Sequence, residues 1–313
     1  MSASIRKNSM IKNSLSAFVL GAVSVTSAQS FAGEDWDVTA GIQGAVGDYS
    51  NSRQRDKKSN YGFFVSADYL ESYGFTFVYD NSSYDYRKSS DYKTNYGRSS
   101  IDQDAYFLSG RKTFRPDALN GLLTVSFDIH HIDNDDKSKI SDNVKVYAPH
   151  ISYLTYDKNY YVDLGYANSD YYKGLTIDQW TPTAGFAFND QKDWLQMRGY
   201  LISSSKKART QNQKSAKALE VSLTHFFDGQ FLNLSKIKGT AITGERFYAV
   251  DRDAATVYNL GDVQRGGFSL LAEFDVTESI KLTLSGGNER YRDKTYKDDY
   301  SVTYFYTGLS TSW

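Results

Sequence analysis

Apolar and polar residues alternate with a period of two through nearly the whole of this sequence, and that rhythm restricts the fold more than any other feature. Trp36, Val38, Ala40, Ile42 and Val46 alternate with Asp37, Thr39, Gln43 and Gly47. Tyr61, Phe63, Val65, Ala67 and Tyr69 alternate with Gly62, Ser66 and Asp68. Tyr73, Phe75, Phe77 and Tyr79 alternate with Gly74, Thr76 and Asp80. Period two belongs to extended strands, whose successive side chains point to opposite faces. Each strand therefore carries one apolar and one polar face. Enclosing the polar face in a dry core costs free energy, whereas turning it toward a water-filled lumen costs little.

Composition fits the second arrangement. Aromatic residues make up 15% of the chain, with 26 Tyr and 18 Phe, yet the mean hydropathy is −0.55. A barrel that turns aromatic and apolar residues to lipid and polar ones to a wet interior has both properties at once. Beyond the first 32 residues no stretch is apolar enough for a membrane helix of about 20 residues. Only three prolines interrupt the strands. The absence of cysteine removes disulfides, thiolate metal sites and cysteine nucleophiles. A formal net charge of −1 gives no reason to expect a nucleic-acid partner. The expected fold class is all-β: a transmembrane, antiparallel, up-and-down barrel.

The beginning of the chain has a different character. Arg6, Lys7 and Lys12 precede the short apolar run Leu15 to Val25, and Ser30-Phe31-Ala32 puts small residues at a cleavage position. This is the pattern of a secretory signal peptide cut after Ala32. Residues 1–32 are read as that signal and residues 33–313 as the barrel. The first strand starts almost at the cleavage point, so no N-terminal plug is expected.

The alternation gives 14 strands, near 35–48, 60–70, 73–86, 99–113, 122–132, 144–156, 160–170, 177–188, 193–202, 216–226, 238–250, 266–276, 280–291 and 300–313. Strands 4, 6 and 11 of this series alternate less cleanly, which leaves 12 as the alternative. Long charged connections, such as Arg87–Arg98 and Asp251–Arg265, take turns with short ones, such as Glu71-Ser72 and Thr277–Ser279. Long external loops and short periplasmic turns are the habit of outer-membrane barrels. The longer even-numbered connections, Arg115–Gly121 and Phe227–Ile237, have room for short periplasmic helices. An even strand count puts both termini in the periplasm.

Phe305, Thr307, Leu309, Thr311 and the terminal Trp313 share one face of the last strand. Here the chain resembles the outer-membrane proteins of Gram-negative bacteria, and its strand number and lack of an N-terminal domain resemble the monomeric porins. The resemblance implies an outer-membrane location in contact with lipid and lipopolysaccharide. It also implies that Phe305, Leu309 and Trp313 form the signal read by the barrel-assembly machinery. It implies a channel without a cofactor.

The phasing directs Asp102, Asp104, Asp128, His130, Asp163, Arg198, Glu220, Glu245, Glu273, Lys281 and Glu289 into the lumen. The excess is acidic, and a low-dielectric wall focuses such a field toward cations. The expected function is passive diffusion of small polar or cationic solutes, with no enzymatic chemistry. The alternative is the barrel of a polysaccharide or protein export system, with a periplasmic partner. A barrel-embedded hydrolase is the third reading. Asp102 and Asp104, facing Asp128 and His130, resemble the carboxylate and Asp–His pairs of omptin proteases. His150-Ile151-Ser152 with Asp163 resembles the sites of outer-membrane lipid hydrolases, although there the site faces lipid. Lys206, Lys207, Arg209, Lys214 and Lys217 make one external loop basic, suited to lipopolysaccharide phosphates.

Overall fold

A computed structural model describes residues 35–228, 232–258, 261–294 and 296–313. The segment read as a signal peptide lies outside the described residues. Fourteen strands close into one antiparallel barrel, each paired with its neighbours in sequence. They are β1 (Trp36–Ser50), β2 (Arg55–Tyr69), β3 (Tyr73–Tyr86), β4 (Ser100–Phe114), β5 (Gly121–Asn134), β6 (Val144–Thr155), β7 (Tyr160–Tyr171), β8 (Leu175–Phe188), β9 (Asp193–Ser204), β10 (Ser215–Phe226), β11 (Leu234–Arg246), β14 (Val263–Asp275), β15 (Ile280–Asp293) and β16 (Asp298–Ser312). Two further strands, β12 (Val250–Asp251) and β13 (Thr256–Val257), form a separate hairpin. A short helix, α1 (Asp91–Tyr96), sits in the loop before β4. The 12-strand alternative is thereby ruled out.

The seam is closed by β1 and β16, in register from Thr39↔Ser312 to Ser50↔Ser301. Beyond it the Trp313 amide donates to the Val38 carbonyl at 3.0 Å, and the Val38 amide donates back to Trp313 at 3.0 Å. Among the described residues, closure leaves the barrel itself no free strand edge, which hydrocarbon does not tolerate.

One consistent row of side chains faces outward on every strand. Val65, Leu108, Val125, Ile151, Leu164, Leu201, Leu223 and Leu270 are exposed apolar residues along its middle. Trp36, Tyr73, Phe114, Tyr160 and Phe188 are exposed at the end that carries the short turns. An apolar band with an aromatic girdle is what a barrel surface in contact with lipid requires.

Two expected features differ. The connection left between the strands expected at 35–48 and 60–70 is shorter than that spacing, because β1 runs to Ser50 and β2 begins at Arg55. The strand expected over 238–250 ends at Arg246, and the chain turns inward there. The cause is a bulge. Register shifts between Thr243 and Arg246 opposite a shift between Gln264 and Gly266. Gly244 and Gly266 hold φ of 97° and 129°, a region open to glycine. At Gly244 an added Cβ would collide with the Lys217 carbonyl. Bulges bend the strand that carries them, and this one delivers Phe247–Val250 into the barrel.

Candidate functional site: a lumen narrowed by an inward hairpin

The largest buried apolar cluster is inside the barrel, in its loop-bearing half. Phe247, Tyr248, Ala249, Val250 and Val257 of the hairpin segment pack on Ile132, Val144, Val146, Leu175, Ile177, Tyr200 and Ile202 of the wall. Tyr171 and Tyr248 meet with ring centroids 4.6 Å apart. The lumen was expected to be polar throughout. Its loop-bearing half instead has a dry core on the β5–β10 side, because the hairpin brings its own apolar face to cover that wall.

Polar contacts fix the hairpin in place. Gln179 on β8 acts as a strand partner: its Nε2 donates to the Val250 carbonyl at 2.7 Å, and its Oε1 accepts from the Val250 amide at 3.0 Å. Arg252 Nη2 donates to Ser126 Oγ at 2.6 Å, and its Nε lies 3.1 Å from Asp128 Oδ2. Arg198 on β9 holds Asp253 at 2.8 Å and approaches Glu220 and Asp251 at 3.8 Å each. Burial pushes the Asp253 carboxyl up, but Arg198, with Lys238 and Arg252 adding to it, holds the carboxyl below the usual carboxylate range. Arg246 stacks its guanidinium between Tyr200 and Tyr258, 4.9 Å and 4.6 Å from the ring centroids.

Two small cavities remain beside the hairpin. One of about 30 Å³ is lined by His150, Tyr161, Asp163, Gln179, Arg198, Arg252 and neighbours. Another of about 40 Å³ is lined by Asn60, Asp80, Ser82, Gln103, His130, Thr256 and neighbours.

The register places the candidate residues as follows. Asp128, His130, Asp163, Arg198, Glu220, Glu273, Lys281 and Glu289 all face inward. Asp128 accepts from Ser109 at 2.6 Å and is fully buried. His130 is buried edge-on against Phe107, centroids 4.7 Å apart. Glu220 accepts from Tyr200 at 3.1 Å. Glu273 pairs with Lys236 at 2.9 Å and Lys281 at 3.4 Å. Glu289 accepts from Tyr291. Asp128, Glu220 and Glu273 also have basic partners in Arg252, Arg198 and the two lysines, which neutralises part of the field that the number of acids suggested.

Three residues were placed wrongly. Asp102 and Asp104 pair in register with Ser83 and Asn81, on the outward face shared by Tyr79 and Tyr106. Asp104 accepts from Tyr79 at 2.7 Å and Asn81 at 2.9 Å, and Asp102 from Ser83 at 2.7 Å. They are therefore separated by the wall from Asp128 and His130, and the protease-like constellation does not form. The polar alternation at 102–104 continues the wrong face, because the outward row turns hydrophilic where the strand rises out of the apolar band. Glu245 sits at the rim, accepting from Gln213 at 2.6 Å, and its neighbour Arg246 takes the inward position.

His150 points inward between two carboxylates, 3.4 Å from Asp128 and 3.8 Å from Asp163. Sequence reasoning missed Gln179, Arg246, Arg252 and Asp253. The one available signal was Gly244-Glu245-Arg246-Phe247, where the alternation stumbles.

No family model matches the chain, and no curated protein matches its sequence. Among solved structures, the toluene transporter TodX of Pseudomonas putida is similar at TM-score 0.52, with 9% identity over 93% of this chain and 92% of that one. A TodX deletion mutant described as a monoaromatic hydrocarbon channel gives TM-score 0.53, with 9% identity over 93% of each chain. A bacterial polysaccharide outer membrane secretin gives 0.53, with 9% identity over 88% of this chain and 98% of that one. At this identity the likeness is one of architecture: the chain has the closed β-barrel fold of outer-membrane channels.

Proposed function

We propose that this chain is an outer-membrane channel for small polar solutes, narrowed by the β12–β13 hairpin. The carrying observation is how the constriction is fastened. Arg252 of the hairpin reaches Ser126 and Asp128 on β5, and Asp251 and Asp253 of the hairpin reach Arg198 on β9, through ionic and hydrogen-bonded contacts. A space-filling core needs no such charged fastening, and buried charge pairs are a costly way to build one. A polar solute can replace these contacts with its own. Because Asp128, Glu220 and Glu273 already have basic partners, the preference for cations is weakened. Residues 1–32 act as the export signal in this reading. The Phe305, Leu309 and Trp313 row engages the assembly machinery, the turns face the periplasm, and the basic loop residues face lipopolysaccharide.

The test is planar-bilayer conductance of the purified protein, alone and with Phe247–Asp262 replaced by a short Gly-Ser link. Discrete steps that grow in the shortened variant support the reading. An intact barrel that stays non-conducting after the replacement defeats it.

A further inference from the structure

Opposite the hairpin-bearing wall, the inner surface of β15, β16, β1 and β2 is built differently. Its inward positions carry glycines, and rings from adjacent positions cover them. A Cβ on Gly41 would meet Phe64 Cε1 at 2.5 Å. A Cβ on Gly308 would meet the Tyr306 hydroxyl at 2.8 Å, and one on Gly287 the Tyr304 hydroxyl at 2.7 Å. Each ring can lie against the wall only because its neighbour lacks a side chain. A ring laid on a wall presents its face to the lumen. Lys58 Nζ stands over the Tyr304 ring, 5.4 Å from the centroid, and takes up a face of that ring.

Phe64, Tyr304 and Tyr306 are all half-buried, so part of each remains open to the interior. Tyr304 and Tyr306 are successive inward positions of β16, about 7 Å apart at strand rise. Hydrogen-bonding groups border them. Tyr306 donates to Gln43 Oε1 at 3.1 Å, and Gln43 Nε2 donates to Asp80 at 2.9 Å. Asn60, paired in register with Ala45 between β2 and β1, has a buried Oδ1 with no hydrogen-bond partner.

Flat aromatic faces bordered by amide and carboxylate groups suit a solute that is apolar on its faces and hydroxylated at its edges. We propose that this wall is a binding track for neutral saccharides, whose C–H faces stack on Phe64 and Tyr306 while their hydroxyls exchange hydrogen bonds with Gln43, Asp80 and Asn60. Simple cations would use the carboxylate alone and leave the rings idle. The proposal rests on the channel reading for its purpose, but binding can be measured without conduction.

The experiment is isothermal titration of the detergent-solubilised barrel with maltohexaose, with lysine as the charged comparator. Saccharide binding stronger than lysine binding is expected. The Phe64→Leu/Tyr306→Leu pair keeps apolar volume but removes the flat faces, and should weaken maltohexaose at least tenfold. Tyr306→Phe keeps the face and should change affinity no more than about threefold. Three results overturn the track: no saccharide binding by the wild type, undiminished binding by the double leucine variant, or tighter binding of lysine. Should the double variant not form a barrel, Phe64→Leu alone carries the test, with a loss of at least threefold expected and none overturning it. Conduction without saccharide binding defeats the track alone, whereas saccharide binding by a barrel that never conducts defeats the channel reading alone.

Discussion

Arg252 shows how much a single residue carries in this lumen. Its guanidinium reaches both Ser126 and Asp128, and Asp128 is fully buried with Ser109 as its other close donor. Removing one member of a buried pair strands the other, at a cost of about 3–5 kcal/mol. Arg252→Ala should therefore loosen the hairpin and lower the unfolding temperature, and Arg252→Ala/Asp128→Asn should recover part of that loss. Thermal unfolding followed by circular dichroism, in parallel with conductance, measures both. Equal stability of all three proteins would mean that the contact is idle. The Asp253–Arg198 pair gives a pH expectation. A carboxyl whose value is depressed in the folded state adds stability that is present above its unfolded value, near 3.9, and lost as pH falls through the folded value. The pair should thus keep its strength at pH 5 and lose it only below the usual carboxylate range. Comparing the melting of wild type and Asp253→Asn across acid pH checks this: the difference should be flat above about pH 4 and vanish below.

At the scale of an element, the period of two makes neighbouring positions unequal. Leu270 is exposed toward lipid in the middle of β14, while Ser269 pairs in register with Thr240 and Gly287 on the lumen side. An arginine facing the hydrocarbon midplane costs about 2–4 kcal/mol. Leu270→Arg should lower stability by that order, whereas Ser269→Arg should cost much less and instead alter conductance. Denaturant unfolding from lipid vesicles measures the contrast, and equal penalties would contradict the assigned faces. The bulge is the other decisive element. Gly244→Ala places a methyl against the Lys217 carbonyl at a φ that disfavours it. The variant should release the turn that feeds the hairpin inward, and a spin label at Ala254 should report greater mobility. The chain's lack of cysteine makes that single label clean.

For the whole molecule, closure is the controlling event. The seam joins residues more than 250 positions apart, from Thr39↔Ser312 onward, so it forms only when every strand is in place. Deleting Trp313 removes its two backbone hydrogen bonds to Val38 and one end of the outward row. The expected outcome is a smaller fraction of the compact, heat-modifiable form on unheated gels. An unchanged fraction would show that the seam does not need this residue.

The period of two pointed to the barrel, to fourteen strands with twelve still open, and to most of the lipid-facing row, because alternation is a local property that each strand states for itself. It was also enough for the inward direction of Asp128, Arg198, Glu220 and Glu289. It failed at Asp102 and Asp104, where the outward row becomes polar and the two faces look alike in sequence. Only the tertiary structure decided what fills the lumen. The hairpin goes inward because a bulge at Gly244 meets a second irregularity at Gly266, and because Gln179, Arg198, Ser126 and Asp128 on distant strands converge to receive it. That convergence depends on register around a closed ring, which no stretch of sequence carries alone.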